Sequence, residues 1–205
     1  MTQRVWKFIA AATTEMATPV YNSLIQAGDR FEQAIAKLQS LLSVRSLRTV
    51  LTSAVSGGAS SAADFTLMTL TVPANRLVVG DILHLVINGT VNHPNSPGTT
   101  ISYWVRVGTT KVMTITYVPA ANMTGQPFEF TAQLLTQSIG AAGVIACGGT
   151  MTSNTNATTS FRYTGVPSTA TQDTTSSFNI TVGGTFSNIN AGNLMTAVMG
   201  AIFQR

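Results

Sequence analysis

Between Pro127 and Thr150 the chain alternates with a period of two, and this pattern constrains the fold more than any other feature. Phe128, Phe130, Ala132 and Leu134 interleave with Glu129, Thr131 and Gln133; Gly140-Ala141-Ala142-Gly143 then turns the chain, and Val144, Ala146 and Gly148 resume on the far side. Successive side chains on a strand point to opposite faces, so the alternation describes one buried and one wet face. The stretch reads as a long antiparallel hairpin. A lone hairpin is marginal in water, so further strands must extend it and a second sheet must cover its apolar side.

The chain after Asp64 supplies candidates in regular succession: 65–72, 81–88, 100–107, 111–118, 128–136, 143–151, 177–182 and 194–203. They are separated by turn chemistry such as Pro73-Ala74-Asn75 and Gly108-Thr109-Thr110. These eight segments, joined by short turns and longer crossovers, predict an eight-stranded antiparallel jelly-roll β-sandwich over 62–205. The widest gap, Ser153 to Ser176, reads as a crossover loop, the kind of segment that carries contacts. The last strand is apolar and should tie the chain end into the sheet, so its deletion should cost the fold.

Residues 1–61 read differently. A leading arm carries Trp6 and Phe8, each costing about 2 kcal/mol or more to leave in water, so the arm should anchor on a neighbouring molecule or on its own core. From Gly28 to Ser43 the spacing predicts one amphipathic α-helix, with Asp29 and Glu32 as a capping box and Phe31, Ile35, Leu38 and Leu42 as a narrow apolar stripe. That stripe suits either self-association or packing on the sandwich. Ser56-Gly57-Gly58-Ala59-Ser60-Ser61 has the composition of a flexible linker and marks the boundary.

Charged residues make up 9% of the 205, against roughly a quarter in ordinary soluble proteins, and threonine, alanine, serine, asparagine and glycine fill the deficit. The surface must be neutral and hydroxyl-rich, which suits permanent packing against other molecules and equally an ordinary β-rich domain. Of the net charge of +4, Met1 to Arg48 contributes 6 − 3 = +3 and the remainder 5 − 4 = +1. The basic residues are spread thinly, with no interleaved aromatics, so no nucleic-acid partner is expected. The run Phe8-Ile9-Ala10-Ala11-Ala12 is short for a signal peptide and Glu15 interrupts it. No stretch approaches the roughly 18 apolar residues that would span a bilayer. Four Asn-x-Thr triplets, at Asn88, Asn122, Asn156 and Asn179, follow from abundant threonine.

The inventory for catalysis is thin: two histidines and seven carboxylates. His84 falls within a strand, and His93 precedes Pro94 in a turn with no second ligand at metal spacing. No Gly-x-Ser-x-Gly elbow or phosphate loop occurs. Cys147 is the single cysteine; set among apolar neighbours, it reads as a buried small hydrophobe. No enzyme activity, cofactor or metal is expected. A carbohydrate-binding module is the more serious alternative, because Tyr103 and Trp104 sit on one strand; alternation leaves at most one of the two rings free to stack on a sugar.

Leu70-Thr71-Val72-Pro73-Ala74-Asn75-Arg76-Leu77-Val78-Val79-Gly80-Asp81-Ile82-Leu83, Tyr103-Trp104-Val105-Arg106-Val107-Gly108-Thr109-Thr110, Pro127-Phe128-Glu129-Phe130 and Gln137-Ser138-Ile139-Gly140-Ala141-Ala142-Gly143 are similar, in content and order, to segments of the jelly-roll structural proteins of tailed-bacteriophage virions. The resemblance covers about Asp64 to Arg205 and rests on turns and strand edges. It implies a capsid decoration (cement) protein on the outer surface of the phage head, working as a homo-oligomer, most simply a trimer. In that reading Arg4, Trp6, Lys7 and Phe8 contact the major capsid protein or a neighbouring subunit, while Phe31, Ile35, Leu38 and Leu42 join copies. The competing role is a tail-fibre or baseplate component that binds host glycan through the 153–176 loop and Trp104.

Overall fold

Phe128, Phe130, Ala132 and Leu134 are buried and Glu129 and Gln133 exposed, as their alternation requires, and the strand that carries them is the longest described. The computed structural model describes residues 47–58, 61–94, 99–119, 123–156 and 159–204. Eleven strands occur among them: β1 (Arg48–Val50), β2 (Val55–Gly57), β3 (Phe65–Val72), β4 (Ile82–His93), β5 (Ile101–Val107), β6 (Thr110–Tyr117), β7 (Met123–Ser138), β8 (Gly143–Asn156), β9 (Thr159–Gln172), β10 (Phe178–Phe186) and β11 (Leu194–Gln204). All described pairings are antiparallel. One sheet runs β1-β11-β4-β7-β8-β9, with β2 also on β11, and has seven strands; the other runs β3-β10-β5-β6. Their inner faces meet in a single core, where Tyr103 of β5 packs on Phe128 and Phe130 of β7 at ring-centroid distances of 5.0 and 5.8 Å.

The fold is therefore mainly β and a two-sheet sandwich, with eleven described strands in place of eight. The segment expected to be a crossover loop is largely strand. β9 passes beneath β6 as the edge of the larger sheet; its inward face carries Tyr163, packed on Tyr117, and then Gly165, where a Cβ would press on Met113 and Ile115. The glycine breaks the apolar alternation after Tyr163. The β5–β6, β7–β8 and β8–β9 connections are hairpins within one sheet, which differs from the sheet-to-sheet alternation that dominates a jelly roll.

The stretch read as a linker also contributes to the larger sheet. β1 and β2 lie on the N-terminal side of the expected boundary at 61/62, yet both pair with β11, and the chain from Leu47 onward forms one unit. Gly58 is glycine for a reason other than flexibility. Its φ is +97°, and a Cβ there would run into the stacked rings of Phe65 and Phe186. β11 lies inside the sheet between β4 and the pair β1 and β2. The predicted helix at 28–43 and the N-terminal arm lie outside the described residues.

Candidate functional site

Trp104 shows how the four-stranded sheet treats its outer face. Tyr103 points into the core, so Trp104, the next residue, points away from it, as alternation demands. Yet Trp104 is only 1% exposed. Its cover is built from charge. The Arg106 guanidinium lies 4.6 Å from the indole centroid and the Lys111 ammonium 5.6 Å, both within cation–π range. Asp64, just before β3, ties the cover down: it pairs with Arg106 and accepts from Lys111 Nζ at 3.0 Å and from Thr185 Oγ1. The indole Nε1 in turn donates to Thr185 Oγ1 at 3.2 Å. Burial works to raise the Asp64 pKa, but the Thr185 hydrogen bond and the charges of Lys111 and Arg106 outweigh it and hold the carboxyl below its ordinary value. Neither aromatic ring that the sequence offered for sugar stacking is therefore free.

The outer face of the seven-stranded sheet is open. Its register sets side chains in rows across the strands: Phe203, His84, Gln133 and Gly148 in one; Val50, Ala201, Val86, Thr131, Thr150 and Thr164 in the next; Met199, Asn88, Glu129, Thr152 and Arg162 in a third. His84 stacks on Phe203 at 5.6 Å, and the Thr131 and Thr150 hydroxyls share a 3.0 Å hydrogen bond. The short side chains at the centre leave a trough of about 660 Å³ over β4, β7, β8 and β9, with Gly148 and Gly149 in its floor. A register shift opposite Gly148 turns Val166 outward to 81% exposure. Met199, at 62%, and Val50 add apolar surface at the β1–β11 side.

Nothing in these arrangements activates a nucleophile. Cys147 lies under the trough, buried, its thiol pushed up to about 12 by desolvation. Among the described residues no three His, Cys, Asp or Glu come together to hold a metal. His93, expected in a turn, is instead the last residue of β4 and is buried. Arg4, Trp6, Lys7 and Phe8, and likewise Phe31, Ile35, Leu38 and Leu42, lie outside the described residues. Sequence reasoning missed the Asp64–Arg106–Lys111 cover, since nothing local marks a residue 40 positions upstream as the partner of a strand tryptophan. Comparison with protein-family models, curated proteins and solved structures gave no match.

Proposed function

We propose that this chain is a non-enzymatic structural protein of a virus particle, a decoration (cement) protein that seats on the outer surface of a bacteriophage head and stabilises it by contacts repeated over the lattice. The observation that carries this reading is the outer face of the seven-stranded sheet, where the central row of Val50, Ala201, Val86, Thr131, Thr150 and Thr164 runs uncharged over six neighbouring strands, with Arg48, Glu129 and Arg162 confined to the rows beside it. Such a face has little charge to desolvate, so a partner can cover it at small electrostatic cost. Contacts that are weak singly then add through repetition on a symmetric shell. Kinship with the structural proteins of tailed-phage virions, homo-oligomerisation through Phe31, Ile35, Leu38 and Leu42, and attachment to the major capsid protein through Arg4, Trp6, Lys7 and Phe8 belong to the same proposal. The fibre or baseplate alternative loses its stacking residue, because Trp104 is covered.

The test is to mix purified full-length protein with expanded heads that lack it. Co-sedimentation and a higher temperature of head rupture are expected. Absence of binding to heads, with labelling of host cells that surface polysaccharide competes away, would replace the cement reading with the fibre one.

A further inference from the structure

Three runs without Asp, Glu, Lys or Arg, residues 82–105, 112–128 and 174–204, meet at the end of the sandwich where β4 finishes and β7 and β11 begin. His93 sits there. It pairs with Met123 across the β4–β7 ladder, and the neighbouring Asn92 pairs with Leu194. Its ring stacks on Phe186 of the opposite sheet with centroids 6.4 Å apart and planes 16° apart. The residue is 1% exposed, and among the described residues neither ring nitrogen has a hydrogen-bond partner. Asn193, next to Leu194, is also fully buried, with its Oδ1 unpartnered.

We propose that His93 is a proton-operated latch: its neutral ring bridges the two sheets at this end, and taking up a proton releases the end of the sandwich. Among the described residues a charged imidazolium here would meet no counter-ion. The titratable and charged groups described on the elements packed around it face elsewhere or stay neutral; Glu129 of β7, opposite Asn88, is exposed on the outer face of its sheet. Asp64, beside the Phe65 that stacks on Phe186, is engaged with Arg106 and Lys111 on the other side of its sheet. Tyr117, paired with Ile101, is pushed up to about 12 by burial, and Tyr103 is raised well above its ordinary range by burial too. His84 lies on the outer face, stacked on Phe203. The latch is independent of any role in a virion.

Desolvation holds the folded-state pKa of His93 below 6.5, the ordinary histidine value. The unfolded chain therefore takes the proton first. Stability is complete above about pH 6.5, falls as pH drops from there, and levels off below the folded-state pKa. Over that window up to one proton is taken up on unfolding, so the unfolding equilibrium should shift toward the unfolded state as pH falls, with about tenfold per pH unit as the limiting slope. Urea titrations of the full-length protein from pH 7.5 to 5.0 should show this slope in the wild type and in H84Q, and lose it in H93F. Histidine-ring NMR of the wild type provides a reading that needs no variant: the His93 signal should titrate below 6.5. An H93F slope equal to that of the wild type, or a His93 ring that titrates at 6.5 or above, would overturn the latch.

Discussion

On the four-stranded sheet the outward cations Arg106 and Lys111 converge on Trp104 and Asp64, whereas on the seven-stranded sheet Arg48, Glu129 and Arg162 are scattered over three strands. The two faces draw on similar residue types, with threonine prominent in both. The difference lies in satisfaction. The smaller sheet spends its outward charge on its own tryptophan and closes that surface, as the Thr71–Asn179 and Ser102–Thr116 hydrogen bonds do for its hydroxyls. The larger sheet leaves a trough and exposed Met199 and Val50, and that is the surface available to a partner.

Removing the covered ring should do the most damage. W104A would empty a fully buried site beneath two cations, at an expected cost of about 3–5 kcal/mol by urea denaturation. A loss under 1 kcal/mol would mean that the cluster is a surface ornament and that the two faces are alike. Next comes G58A, at about 1–3 kcal/mol, because an alanine there must hold a positive φ and displace Phe65 and Phe186. A silent G58A would restore the linker reading of this stretch.

D64N should be milder, about 1 kcal/mol at neutral pH, since the side chain is about a quarter exposed and the pairs are partly screened. The sign follows from its lowered pKa. Asp64 stabilises above the unfolded-state value near 3.9 and loses that contribution as pH falls through the folded-state value, so the difference between wild type and D64N should shrink as pH falls below about 3.9. A difference unchanged at pH 2.5 would remove the charged carboxylate from the account. The smallest stability effect belongs to the open face: M199K should shift folding by no more than about 0.5 kcal/mol while abolishing head binding. If it spares binding, the partner surface lies elsewhere.

Much of this contrast was legible in the sequence. Phe65–Val72 coincides with β3, its alternation slipping once at Leu67–Met68 where the pairing with β10 shifts register, and the β7–β8 hairpin follows from Phe128 to Leu134 and the Gly140–Gly143 corner. Across that corner the buried set is Ile145, Cys147 and Met151, so Val144, Ala146 and Gly148 line the outer face instead. Their small apolar side chains satisfy either parity. β1 and β2 have three residues each, too short for a period to register. β9 was hidden by Gly165 and Pro167; an edge strand with a register shift tolerates proline, and its inward glycine lies under Met113. Alternation gave the outward direction of Trp104 but not its cover, because the covering groups come from Asp64, Arg106, Lys111 and Thr185 on four separate segments.

Hydroxyl-radical footprinting of the full-length protein, free and bound to heads, tests the asymmetry of the two faces most directly. Met199, Val50 and Leu135 should lose reactivity on binding, while Trp104 should be unreactive in both states. Undiminished modification of Met199 and Val50 in the bound protein, or a Trp104 that is reactive when free, would contradict the account.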